Sequence, residues 1–91
     1  MFLEIITPEA VIFNDKVEVV SLPGSNGEFQ ILNNHAPIVS TLKKGFVKIK
    51  GSFESTESFE KMFSKKDNVW CLMIDSGTVE SNENKVVILI D

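Results

Sequence analysis

Short apolar or alternating runs, FLEII, VEVVSL, EFQIL, IVSTL, FVKIK, VWCLMI and KVVILI, recur between clusters of turn-forming residues. That cadence constrains the chain more than any other feature. It predicts an all-β fold, a flattened sandwich or barrel of about ten short strands, because each run suits a strand and each break suits a turn. In FVKIK the alternation places Val47 and Ile49 on one face and Lys48 and Lys50 on the other, as in a strand with one wet side. The VVILI run has no polar interruption, which predicts a strand covered on both faces. TLKKG, with Gly45 after two lysines, reads as a hairpin between strands at 38 to 42 and 45 to 50. Pro8 and Pro37 each fall at a strand boundary, where a missing N–H matters little.

Residues 23 to 37, PGSNGEFQILNNHAP, gather the most constrained backbone positions. Pro23 presets φ, while Gly24 and Gly27 allow positive φ, so PGSNG can reverse the chain between VEVVSL and EFQIL. A tight, stiff loop is expected to project from one end of the β-structure. Residues 51 to 67, GSFESTESFEKMFSKKD, break the cadence with serines and mixed charge. Phe59 and Phe63 stand four apart beside Met62, which fits a short helix within 56 to 66. Glu57 and Lys61 have the spacing of a helical ion pair worth ~0.3–0.5 kcal/mol. A long β-hairpin laying Phe53, Phe59 and Phe63 on the sandwich fits the same residues.

With 91 residues there is room for one domain, expected to span 1–91, and a core of modest size. The hydrophobic fraction of 43% and charged fraction of 24% suit a folded soluble domain. A net charge of −4 and the lack of any Arg argue against a nucleic-acid partner, since the bidentate fork favoured for phosphate and guanine is missing. Cys71 is the one cysteine and lies in an apolar run, where it reads as a buried, inert small hydrophobe. One thiol cannot close an internal disulfide, so a reducing compartment is the default expectation. No apolar run approaches the ~20 residues of a membrane span, and no direct membrane insertion is expected.

The candidates for chemistry have plain alternatives. His35 is the one histidine, and no sequence signature brings a nucleophile or carboxylate beside it. Asp75 and Ser76 sit in IDSG, which turn formation explains without a Ser-His-Asp site. A lone His and a lone Cys do not make a closed zinc site, and PGSNG lacks both the lysine and the helix of a phosphate-binding loop. No catalytic residue, metal or cofactor is expected. Residue types alone favour a solvated turn for Asn26, Gly27 and Glu28.

The ordered series Leu3 to Pro8, Val11 to Phe13, Val17, Val20, the segment 23 to 37, Leu42, Gly45, Val47, Ile49 and Asn84 to Leu89 resembles the epsilon subunit of rotary ATP synthases, called delta in mitochondria. The family pattern runs V-x-x-V-x-x-PG-x-x-G-x-F-x-IL-x-x-HAP and then L-x-x-G-x-V-x-I. The resemblance implies a noncatalytic central-stalk subunit of a bacterial F-type enzyme. Such a subunit binds gamma and the c-ring and couples ion translocation to ATP synthesis, peripheral on the cytoplasmic side of the inner membrane. It further implies that Ser25, Asn26, Gly27 and Glu28 face the c-ring, with the Glu28 carboxylate meeting basic groups. His35, Ala36, Pro37 and Ile38 would face gamma, and Thr7 is expected near that same face.

Two features depart from the family. Ser76-Gly77-Thr78 stands where relatives show Gly-Gly-Phe, which leaves the local packing open. The sequence stops at Asp91, where many relatives begin a C-terminal helical hairpin that carries an inhibitory extension and, in some bacteria, an ATP site. ATP binding and regulation by that hairpin are therefore not expected unless another polypeptide supplies them. The alternative reading is a free-standing β-sandwich module that binds a small ligand or peptide at an exposed strand edge.

Overall fold

The computed structural model, which describes all residues 1–91, turns the apolar runs into strands and adds three that the runs announce only faintly. In chain order these are β1 (Phe2–Ile6), β2 (Val11–Lys16), β3 (Val19–Gly24), β4 (Gly27–Leu32), β5 (Ile38–Leu42), β6 (Gly45–Lys50), α1 (Glu57–Met62), β7 (Ser64–Lys66), β8 (Val69–Ile74), β9 (Gly77–Asn82) and β10 (Lys85–Ile90). All pairings are antiparallel except β1 with β10. The hydrogen-bonded path runs β2-β1-β10-β9-β5-β3-β6-β8-β7, with β4 added to β3.

This continuous sheet curls into two layers. The first is β2-β1-β10-β9-β5 and the second β4-β3-β6-β8-β7, and they meet through a single residue pair, Gly24 with Leu42. Each strand turns its alternate residues inward: Leu3 and Ile5, Val86 and Ile88, Val20 and Leu22, and Val47 and Ile49 are all buried in one core. Lys48 and Lys50 lie outside, as the alternation of FVKIK requires. At about 25 cal/mol per Å² of apolar area, this shared burial is the main stabilising term of such a sandwich.

The last strand departs from expectation. Val86 and Ile88 are buried, but Leu89 is 48% exposed and Val87 half-buried, so β10 is covered on its inner face only. A continuous apolar run reports hydrophobicity and says nothing of whether a second layer reaches its outer side. The hairpin expected at TLKKG also does not form. β5 pairs with β9 and β6 pairs with β3 and β8, because the end of β3 is wedged between them. The Lys43 N–H donates to Pro23 O (2.9 Å), and a Cβ on Gly45 would lie 2.7 Å from the Pro23 Cβ. TLKKG thus wraps a corner and carries the chain from one layer to the other.

On the far side of the sandwich, where β2 and β7 are free edges, the 51–67 segment fills the gap. It forms the helix and not the long β-hairpin: Phe53, Phe59 and Phe63 lie outside any strand, and only the short β7 pairs with β8. Thr56 caps α1, its hydroxyl accepting from the Phe59 N–H at 3.1 Å. Glu57 and Lys61 form the expected i,i+4 pair at 3.5 Å, exposed and weak. Asp67 and Asn68, both at positive φ, make the turn from β7 to β8. Phe59 and Phe63 stack at 4.1 Å, and Phe59 further meets Phe13 of β2 (5.3 Å), Phe53 (5.5 Å) and Trp70 of β8 (4.9 Å). The aromatic cluster joins the two layers where no strand pairing does.

Two substitutions test this construction. Phe59→Ala is expected to lower unfolding free energy by about 3–5 kcal/mol in urea titration, as for a buried aromatic; a loss below about 1 kcal/mol would mean that the cluster does not close the sandwich. Gly24→Ala is expected to lower it by about 1–3 kcal/mol, because the new methyl would meet the Gly27 carbonyl oxygen at 2.7 Å. An unchanged midpoint would contradict so close an approach.

Candidate functional site

All the candidate residues but Thr7 lie at or beside the two ends of one hairpin. β3 and β4 pair from Val19–Leu32 to Gly24–Gly27, leaving Ser25 and Asn26 as a two-residue loop. Only Gly27 uses positive φ (125°); Gly24 has ordinary φ and is required instead for its close approach to Gly27 and Phe29. The loop is tied to the first layer, since the Ser25 N–H donates to Thr41 O (3.0 Å) and the Ser25 and Thr41 hydroxyls share a hydrogen bond of 2.7 Å. Ser25, Asn26, Gly27 and Glu28 are all exposed on this braced tip.

Glu28 is not a free charge. Ser21, buried on the outer face of β3, donates its hydroxyl to Glu28 Oε1 at 2.9 Å, and Lys48 Nζ lies 3.7 Å from the same oxygen. Sequence reasoning missed both partners. The signal was the hairpin register, which sets Pro23 opposite Glu28 and Ser21 opposite Gln30 and so leaves Ser21 diagonal to Glu28 on one face.

At the other end of β4, roughly 17 Å away at a strand rise near 3.4 Å, the chain turns through Asn33 to Pro37. The start of this turn is anchored. The Met1 ammonium donates to Asn33 Oδ1, and the Asn34 N–H donates to Asn84 Oδ1 at 2.8 Å. The His35 N–H donates to Leu32 O (3.2 Å), and His35 Nδ1 lies 2.7 Å from Ala36 O. His35, Ala36 and Pro37 are exposed and Ile38 is half-buried. Leu32 (51% exposed) and Val39 (79%) flank the turn and widen its apolar surface. Neither was singled out from sequence, because both sit in ordinary strand alternation.

The registers separate residues that sequence reading had grouped. β5 pairs Ile38 with Ser81 and Leu42 with Gly77, β10 pairs Ile90 with Gly77, and β1 runs parallel to β10. Thr7, which follows β1, therefore lies at the end of the first layer that holds Leu42 and Gly77, whereas Ile38 lies at the opposite end. Its hydroxyl accepts from the Ala10 N–H (3.2 Å) and closes the β1–β2 turn. The expectation that Thr7 shares a surface with His35 to Ile38 is not met.

The same register bears on the Ser-His-Asp reading. Asp75 and Ser76 precede Gly77, at the opposite end of β5 from His35. Ser76 donates instead to Asp91 Oδ2 at 2.8 Å. Around Ser76-Gly77-Thr78 the packing is settled by β9, whose Gly77 pairs with both Ile90 and Leu42. No group of three or more His, Cys, Asp and Glu side chains is arranged to hold a metal ion. Cys71 is free and only half-buried, not buried as its apolar run suggests, and no helix is long and apolar enough to cross a membrane.

Comparison with known proteins gives this arrangement a family. The model of the ATP synthase delta/epsilon chain beta-sandwich domain matches residues 1–91. The ATP synthase epsilon chain of Campylobacter fetus subsp. fetus is 44% identical over 89 residues, covering 98% of this chain and 59% of that protein. That of Campylobacter concisus is 44% identical over 91 residues, covering 100% and 60%. The chain thus spans about three-fifths of the length of these relatives. Two solved structures share the fold at low identity. A chain of the Tetrahymena thermophila mitochondrial ATP synthase central stalk and c-ring superposes with a TM-score of 0.73 at 17% identity, over 99% of this chain and 62% of that one. A chain of the Euglena gracilis mitochondrial ATP synthase gives 0.71 at 21%, over 97% and 48%. With its strand order, its braced loop and its matched length, this chain belongs to the beta-sandwich family of ATP synthase delta and epsilon chains.

Proposed function

We propose that the chain is a noncatalytic central-stalk subunit of a bacterial F-type ATP synthase that links gamma to the c-ring and helps to couple ion translocation to ATP synthesis. The observation that carries this reading is the separation of two exposed surfaces on one stiff hairpin: Ser25 to Glu28 at one end, and His35 to Ile38 with Leu32 and Val39 at the other. Paired strands transmit position without bending, so one end can hold gamma while the other rests on the ring. The solved chains of like fold come from ATP synthases, one of them from a central stalk and c-ring assembly, which supports the same assignment.

In this reading the work is mechanical. The flanking Leu32 and Val39 supply apolar area to gamma, and His35 and Pro37 shape the contact, since exposed apolar groups beside a constrained turn suit an interface. The loop supplies backbone groups and the Glu28 carboxylate to the polar rim of the ring. Nucleotide chemistry stays in other subunits, and the protein sits peripherally on the cytoplasmic side of the inner membrane. Residues 1–91 serve as a single binding domain. Thr7, at the loop end, closes the β1–β2 turn and is not assigned to gamma.

Affinity purification with gamma tests the reading. The chain is expected to form a stable complex at micromolar concentration, and Val39→Asp is expected to weaken it at least about tenfold by burying an unpaired charge. Glu28→Gln should leave the gamma complex unchanged while weakening attachment to isolated c-ring. No complex with gamma at micromolar concentration, or equal losses at both surfaces from one substitution, would contradict the proposal.

A further inference from the structure

We propose that Ser21 is a positioning residue for Glu28 and that Lys48 attenuates its charge, an inference that rests on the loop contact described above. The geometry is asymmetric. Ser21 Oγ and Lys48 Nζ both approach Oε1, at 2.9 Å and 3.7 Å, while Oε2 makes no hydrogen bond within the chain. One oxygen is held and the other is left for a partner's cationic group.

The two neighbours act in opposite directions. Ser21 is 5% exposed in a strand whose flanking residues Val20 and Leu22 are fully buried, so its hydroxyl is a fixed donor. It restrains a flexible side chain before the partner arrives and removes part of the ordering cost of association. Lys48 is less buried than Ser21, its side chain 40% exposed. Its ammonium beside Oε1 repels a cation approaching Oε2 of the same carboxylate, which weakens attraction and is sensitive to salt. Glu28 is thereby a stiff but partly neutralised anchor, suited to a contact that holds orientation without dominating affinity. The partner class it fits is a basic side chain, and the Lys48 ammonium competes with that side chain for the same carboxylate.

Binding of the 91-residue chain to detergent-solubilised c-ring of the same organism's synthase, followed by surface plasmon resonance, separates these roles. Ser21→Ala is expected to weaken binding about threefold to tenfold and Ser21→Thr, which keeps the hydroxyl, to restore it. In a Glu28→Gln background Ser21→Ala should have no further effect. Lys48→Met is expected to tighten binding about twofold to fivefold at low salt, with the gain vanishing at high salt. Thermal midpoints of all variants should stay within a few degrees of the parent. Equal losses from Ser21→Ala with and without Glu28, or weaker binding by Lys48→Met, would overturn the inference. If Glu28→Gln weakens binding but Ser21→Ala does not, only the positioning role falls; if Glu28→Gln has no effect, the loop contact falls and this inference with it.

Discussion

The structure depends on one corner. Where β3 ends, Gly24 pairs with Leu42, the Lys43 N–H donates to Pro23 O and the Ser25 N–H donates to Thr41 O. These few backbone bonds are the only strand pairing between the layers, and they fix how the second layer lies over the first. Buried apolar area supplies the driving force for the sandwich, but it is non-directional. Register comes from the corner, because hydrogen-bonded pairing admits no sliding once residues on one face are committed to the core. The glycine and proline content of the loop follows: Gly24 and Gly45 leave room for the backbone and ring of Pro23 and Gly27 to come together.

Opposite the corner, closure is aromatic. Phe13, Phe53, Phe59, Phe63 and Trp70 fill the space between the free edges of β2 and β7, with ring centroids 4.1–5.5 Å apart for the contacts made by Phe59. Edge strands left open invite pairing with other chains. The 51–67 segment reads as a device that covers this side with rings and a capped helix. It leaves the hairpin bearing the candidate surfaces free.

Much of this was legible in the residues. Alternation in FVKIK named the buried pair Val47 and Ile49, and PGSNG named the hairpin that joins β3 to β4. Pattern reports which face of a strand is inward; it does not report which strand lies alongside. TLKKG therefore read as a local hairpin, although the neighbour that intervenes comes from residues 23 and 24. VVILI read as doubly covered because a run of apolar residues carries no sign of the layer that would cover it. β9 is announced by little, since its inward positions are Gly77, Val79 and Ser81. Among the candidate residues, the loop and the His-Ala-Pro turn were found as constrained turns, whereas Ser21 and Lys48 required the register that brings them to Glu28. Thr7 was misplaced because the parallel pairing of β1 with β10 reverses the end at which β1 finishes.

The central claim is that the two ends of the β3–β4 hairpin meet different subunits. With Cys71, the chain's one thiol, replaced by Ala, a cysteine introduced at Asn26 or at Ala36 can carry a short photoactivated cross-linker in the assembled synthase. Mass spectrometry of the products then reads the neighbour directly. The account predicts that Asn26→Cys joins to the c subunit and Ala36→Cys to gamma; products that join both positions to one subunit, or to neither, would contradict it.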